Sequence, residues 1–209
     1  MPLMVEPMSA AVTEKTRPSP SLDLNDPTEA RLAACARRIG KLLAAPAATA
    51  NADVESSLDD FLGAVYGLIR AKHEKFRDRP GRRIAIKPVA WRAARMGSGN
   101  LKTDGLWIAG FYFNNALFRT AAVYHRILKV ATGMDGYVPA LQSAALALYP
   151  NWNSIRLYKV HSQVNELKHE PQGVYHGRLV TYEDALTAAS DLLDLTEAWA
   201  AAKAPAQRP

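Results

Sequence analysis

The spacing of its apolar residues most constrains what this chain can fold into. Large apolar residues recur every three or four positions over long stretches, which is the period of one face of an α-helix. Five segments show this spacing, at residues 26–45, 51–76, 103–133, 153–169 and 181–203. No segment alternates apolar and polar residues as a half-buried strand does. The sequence therefore predicts an all-α fold: a single antiparallel helical bundle of four to five long helices with short loops and one longer basic connector.

Residues at the ends of these segments agree with helix bounds. Asn25 or Asp26 can cap the first helix, and Thr181 can cap the last one, because side-chain oxygens at these positions accept hydrogen bonds from the first free N–H groups. Two shorter helices are predicted at residues 89–95 and 138–148. The third long helix carries the most aromatic residues, so we expect it to be the central one.

Length and composition predict one domain. The chain has 209 residues, 48% of them hydrophobic, which is enough to bury a core without a disulfide or a metal. The first 25 residues include four prolines and few large apolar side chains. We therefore expect a disordered N-terminal lead at residues 1–25, a helical bundle domain at 26–203 and a disordered tail at 204–209.

Several classes of protein are excluded at this stage. A single cysteine, Cys35, leaves neither a disulfide framework nor a thiolate zinc site. No run of about 18–20 apolar residues predicts a membrane span, and no signal peptide precedes the domain. His161 and His169 lie two helical turns apart, which is too far for one ion. We expect a cytoplasmic protein with no metal, no cofactor and no membrane partner.

The connector after the second helix concentrates positive charge. Residues 70–102 contain eleven Lys and Arg against only Glu74 and Asp78, which gives this segment a net charge of +9. The whole chain has a net charge of +6, so the rest of the chain is acidic. Clustered cations bind phosphate backbones because they release condensed counterions. The residues predicted to contact a nucleic acid are Arg70, Lys72, Lys75, Arg77, Arg79, Arg82, Arg83, Lys87, Arg92 and Arg95. A solvated loop that only joins two helices would carry the same charges.

The fourth long helix carries the pattern most suggestive of chemistry. Arg156 and His161 lie five residues apart and can flank one apolar face, while Asn165 and His169 continue the line of His161 at intervals of four. Metal-independent cleavage of RNA needs a base for the 2′-hydroxyl and a cation for the phosphate charge. Histidine and arginine have these properties. An ordinary helix surface with its carbonyls capped would also explain the four residues.

A polar stripe on the third helix is a candidate support for this site. Asn115 and Arg119 lie four residues apart, with His125 and Arg126 one to two turns further on. Polar groups on a largely buried helix need partners. The stripe therefore predicts a hydrogen-bonded network with the fourth helix, beside Arg156 and His161, although a purely structural network fits equally well.

An Arg followed by four residues and a His, on the penultimate helix of an all-α bundle, resembles the motif of the HEPN family. Arg156 and His161 are the matching positions. The resemblance implies an RNA- or nucleotide-binding helical domain, possible metal-independent endoribonuclease activity in a toxin–antitoxin or phage-defence system, and a homodimer. It also implies that His161 is the general acid or base, that Arg156 stabilises phosphate charge, and that Asn165 and His169 position the substrate.

A second function stays open. Leu157 follows Arg156 where the HEPN motif usually has a polar residue, and inactive domains of that family serve as binding modules. The alternative is a non-catalytic helical interaction or accessory module whose basic connector docks on a nucleic acid or an acidic protein partner. The sequence does not distinguish RNA from DNA in either case.

Overall fold

The computed structural model describes residues 22–76, 101–169 and 180–204, apart from the side chains of residues 74–76, 101–111, 167 and 169. Seven helices and no strand lie in these ranges, which confirms the predicted all-α class. The helices are α1 (Pro27–Leu43), α2 (Pro46–Thr49), α3 (Ala52–Phe76), α4 (Leu101–Thr132), α5 (Val138–Leu148), α6 (Ile155–His169) and α7 (Tyr182–Lys203).

Side-chain caps fix the helix starts close to where the sequence places them. Asp26 accepts hydrogen bonds from the backbone N–H groups of Thr28 and Glu29 at the start of α1. Thr181 and Asp184 form a reciprocal capping box at the start of α7. Because a cap satisfies donors that the first turn leaves unpaired, these residues determine where each helix begins.

Two details of the structure differ from the sequence prediction, and some predicted segments lie outside the described residues. The one-turn helix α2 was not predicted. Residues 22–25, assigned to the disordered lead, form a turn in which the N–H of Asp23 donates to the Glu29 carboxylate at 2.6 Å. The predicted helix at 89–95 and most of the lead and tail, at 1–21 and 205–209, lie outside the described residues.

Consecutive long helices run antiparallel, and α4 lies at the centre. It packs against α3, α5, α6 and α7, as its aromatic content predicts. The α3–α4 contact is the most extensive in the described ranges. It is also close, because a Cβ on Gly67 of α3 would lie 3.3 Å from the Cβ of Ala116 on α4. Small residues at this crossing let the two backbones approach.

The core is continuous from α1 to α7. Its largest fully buried side chains are Tyr124 and Phe113 of α4 and Phe61 of α3. Among the described helices, none is long and apolar enough to cross a membrane.

Candidate functional site

Two histidines meet where α6 crosses α4. The ring centroids of His161, on α6, and His125, on α4, lie 6.4 Å apart in an edge-to-face arrangement. The ring of Tyr124 lies 6.3 Å from that of His161, also edge to face. Both histidines are half-buried, whereas Tyr124 is fully buried. Two titratable rings therefore share one partly solvated position at the helix crossing.

The surroundings of His161 favour its neutral form. Burial lowers the pKa of His161 below its ordinary value of 6.5, and the neighbouring His125 and Lys168 lower it further. A neutral imidazole near pH 7 has a free lone pair and can accept a proton. His161 therefore has the properties of a general base.

The loop between α4 and α5 orients His125. Its Nε2 lies 3.2 Å from the carbonyl oxygen of Gly136, to which it donates a hydrogen bond. In the same loop, Asp135 accepts a hydrogen bond from Lys129 at 2.7 Å, and this ammonium lowers the pKa of Asp135. Since Nε2–H is held by a carbonyl, Nδ1 is the ring nitrogen that can gain or release a proton.

Tyr124, whose ring contacts that of His161, also carries a polar group, its hydroxyl. It is buried and has no hydrogen-bond partner among the residues that the structure describes. Burial raises its pKa, and the nearby Tyr158 raises it further. An unpaired buried hydroxyl costs about 1–3 kcal/mol, so this group is a destabilising feature of the residue that contacts His161.

Arg156 lies on the other flank of α6 and faces α7. It is exposed, and its charge acts on the carboxylate of Asp191 on α7. Lys159, one turn along the same flank, pairs with Asp184 of α7 at 2.7 Å. The structure thus places Arg156 and His161 beside different helices, about 140° apart around α6.

The other two predicted catalytic residues continue the flank of His161. Asn165 lies one turn after His161 and is exposed. His169 is the last residue of α6, and its side chain lies outside the described set. Of the four predicted positions, the structure therefore places His161 and Asn165 on one side of α6 and Arg156 on the other.

Asp191 is a buried carboxylate that the sequence analysis did not single out. It is 7% exposed, and its Oδ2 has no hydrogen-bond partner within the described ranges. Its backbone carbonyl accepts a hydrogen bond from the indole of Trp152 at 2.9 Å. Burial raises the pKa of Asp191 to about 6, although Arg156 opposes the shift.

This carboxylate should make stability depend on pH. Because its pKa rises from 3.8 to about 6 on folding, the folded state binds the proton more tightly, and unfolding free energy falls as pH rises from about 4 to about 6. We expect Asp191→Asn to remove this fall and to stabilise the protein at pH 7 by about 1–3 kcal/mol. Urea unfolding at several pH values measures it. Asp59→Asn, at an exposed position of α3, should leave the curve unchanged, and equal effects of the two variants would contradict the assignment.

The predicted network of Asn115 and Arg119 beside α6 is not what the structure shows. Asn115 is exposed, and the Arg119 guanidinium lies over Gly63 of α3, where an added Cβ would clash with it. Arg126, on the same face of α4, pairs with Asp60 of α3. This face of α4 therefore packs along α3. The α4 residues beside His161 are Tyr124 and His125, which directly precede Arg126 in the sequence.

The cations predicted to contact a nucleic acid are described only in part. Lys72 is 9% exposed, and its ammonium pairs with Asp26 at 2.5 Å and with Glu29 at 3.2 Å. It is thus a buried ion-pair partner within the fold, and the prediction of a phosphate contact does not suit its position. Arg70 is half-buried on α3. The side chain of Lys75 and all of Arg77, Arg79, Arg82, Arg83, Lys87, Arg92 and Arg95 lie outside the described residues.

The structure adds His125, Tyr124 and Asp191 to the candidate site. His125 was visible in the sequence as part of the polar stripe, but the stripe gave no reason to separate it from Arg119 and Arg126. The only sequence signal for Asp191 is that it is an acidic residue with mostly apolar neighbours in the middle of α7. Within the described ranges, no three His, Cys, Asp or Glu side chains are grouped so that they could hold a metal ion.

Comparison with known proteins identifies no relative of this chain. No protein-family model matches the sequence. No curated protein and no solved structure matches it either. The helical fold and the geometry of the histidine pair are therefore the observations on which a functional interpretation can be built.

Proposed function

We propose that this protein binds RNA and cleaves it without a metal ion, using His161 and His125 as the acid–base pair. The observation that carries the proposal is the contact of the two imidazoles, 6.4 Å between ring centroids, in a half-buried setting that keeps His161 neutral. Two adjacent imidazoles suit the two proton transfers of such a reaction, since one ring can accept a proton and the other can donate one.

The chemistry balances with these two groups alone. His161 takes the proton of a ribose 2′-hydroxyl, and the 2′-oxygen attacks the adjacent phosphorus. The bond from phosphorus to the 5′-oxygen breaks as Nδ1 of His125 gives that oxygen a proton. The products are a 2′,3′-cyclic phosphate and a 5′-hydroxyl. The ammonium of Lys168, whose charge reaches His161, stabilises the negative phosphate during the reaction.

Arg156 has a different role in this proposal from the one the sequence suggests. It lies on the α7 side of α6, where its charge acts on Asp191, so its exposed guanidinium would bind a neighbouring phosphate of the RNA. The other Lys and Arg residues at 70–102, Lys72 excepted, are proposed to contact further phosphates of the RNA. A toxin or phage-defence role and a homodimer are part of the same proposal because the HEPN resemblance implies them. A cytoplasmic location is proposed because the sequence shows neither the apolar run of a signal peptide or membrane span nor a pair of cysteines.

The proposal is tested with a labelled single-stranded RNA in the presence of a chelator. We expect the wild type to produce 2′,3′-cyclic phosphate ends, and His161→Ala to lower the rate about 10²- to 10⁴-fold. Arg156→Ala should weaken binding about tenfold with little change in kcat. Ser162→Ala, the adjacent position on α6, is the matched control and should retain full activity.

The same assay separates nuclease from binding module. Cleavage that survives His161→Ala, or its absence in the wild type, would overturn the nuclease assignment. Salt-sensitive RNA binding without cleavage in any variant would instead support the interaction module, since phosphate contacts weaken with ionic strength. Light scattering of the same samples reports whether the protein is a homodimer.

A further inference from the structure

Each histidine of the pair has an exposed tyrosine next to it. Tyr158 is 42% exposed and Tyr137 is 72% exposed, although large aromatic side chains of a folded domain usually bury most of their surface. The two rings therefore offer exposed aromatic surface beside the histidine pair.

Tyr158 precedes His161 by three residues on α6. Residues at this spacing lie on the same side of a helix, about 4.5 Å apart along its axis. Tyr158 also lies near Tyr124, where it adds to the effect of burial in raising the pKa of the Tyr124 hydroxyl, and the ring of Tyr124 contacts that of His161. The Tyr158 ring is thus part of the surface that borders His161.

Tyr137 borders His125 in the same way. It directly follows Gly136, whose carbonyl accepts the hydrogen bond from His125. Its backbone is fixed, because the Tyr137 carbonyl accepts hydrogen bonds from the N–H groups of Ala140 and Leu141 at 3.1 and 3.2 Å. The exposed ring is therefore carried on an anchored backbone at the start of α5.

Two polar side chains complete the His161 flank. Asn165, four residues after His161, is exposed and can both donate and accept hydrogen bonds. Lys168, one turn further, is exposed and positively charged. A surface with aromatic faces, an amide and an ammonium matches the base, sugar and phosphate of one nucleotide.

We propose that Tyr158 and Tyr137 stack on the two bases that flank the phosphodiester held at the histidine pair, so that the site takes single-stranded RNA. Unpaired bases can be splayed apart and stacked on aromatic rings, whereas the bases of a duplex are stacked on one another and cannot reach them. This inference rests on the proposed function, because it places the RNA at the same histidines.

The test measures binding to a fluorescent single-stranded 2′-O-methyl RNA, which lacks the nucleophilic hydroxyl and stays intact. Tyr158→Ala and Tyr137→Ala should each weaken binding about tenfold, and together about a hundredfold, since a stacked base contributes about that much. Tyr158→Phe should bind as the wild type does. Tyr66→Ala, at a 58% exposed tyrosine of α3, is the matched control and should have no effect.

Two further probes separate stacking from phosphate binding. An abasic strand of the same length should bind about a hundredfold more weakly than the normal strand, and the tyrosine substitutions should not weaken it further. A duplex of the same sequence should compete poorly. Equal binding of Tyr158→Ala and Tyr66→Ala, or equal competition by the duplex, would overturn the stacking proposal.

Cleavage by His161→Ala and RNA binding by the tyrosine variants test the nuclease site and the stacking surface separately. If His161→Ala abolishes cleavage while the tyrosine variants bind normally, the acid–base pair stands and the stacking surface does not. If the wild type binds no RNA, both are wrong. Thermal unfolding of each variant verifies that a lost affinity reflects the removed ring and not a lost fold.

Discussion

Replacing His125 with alanine is expected to lower the rate of RNA cleavage about 10²- to 10⁴-fold, the contribution typical of a proton-transferring side chain. The substitution removes the group placed to protonate the leaving 5′-oxygen. It also removes the hydrogen bond to Gly136, so a matched variant is needed. His125→Asn keeps a side-chain donor near that carbonyl but cannot exchange a proton near neutral pH. Single-turnover rates with labelled RNA should therefore fall equally in both variants.

The pair should behave as a unit. His125→Ala combined with His161→Ala should cost about as much as either substitution alone, because losing one proton transfer already disables the concerted step. Additive losses would indicate that the two rings act in separate steps or sites. A loss in His125→Ala that His125→Asn rescues would show that the imidazole is a positioning residue for the loop.

The pH profile supplies an independent measurement. The pKa of His161 lies below 6.5, so the base is neutral at pH 7, and the rate should fall as the pH drops and His161 becomes protonated. His161→Ala should remove this acidic limb. A wild-type rate that rises steadily toward acid would contradict the role of His161 as base.

The sequence predicts the helices well because their signals are local. Asp26 and Thr181 cap α1 and α7 through hydrogen bonds to residues two or three positions away, and such contacts need no tertiary information. Gly133, whose φ of 68° favours glycine, follows the end of α4 for the same kind of reason. The one-turn helix α2 lacks a side-chain cap and carries too few residues for a periodic pattern.

The sequence predicts the α6 residues of the candidate site but not the α4 residues that contact them. Helical spacing places His161 and Asn165 together on α6, but which face of α4 meets them depends on how the helices pack. Arg119 and Arg126 share the face that follows α3, and His125 lies one residue, or about 100°, around the helix from Arg126. Spacing within one helix leaves this rotation undetermined.

The net charge of a sequence segment does not show which of its cations can reach a nucleic acid, because buried and exposed cations count alike. Lys72 contributes to the excess of positive charge at residues 70–102, yet it lies at the junction of α1 and α3 with two carboxylates around it. The Lys72 ammonium, together with the N–H of Glu29, lowers the pKa of Asp26. The charge of Lys72 is therefore balanced inside the fold.

Lys72→Met should lower the free energy of unfolding by about 3–5 kcal/mol, because removing one partner of a buried ion pair leaves the other charge uncompensated. The Glu29 side chain is only 9% exposed and would lose its ammonium partner, while Asp26, at 37%, remains open to water. Urea unfolding at pH 7 measures the loss. Lys203→Met, at an exposed position near the end of α7, is the matched control and should change stability by less than about 0.5 kcal/mol.

A double substitution separates the ion pair from the packing of the lysine stem. Glu29→Leu combined with Lys72→Met should be more stable than Lys72→Met alone, since apolar residues of similar size often replace a buried pair at little cost. The two variants also address the RNA. If Lys72 balances charge within the fold, RNA affinity should be unchanged wherever the variant stays folded. A loss of affinity without a loss of stability would instead place this ammonium on the phosphate backbone, which its burial at 9% exposure argues against.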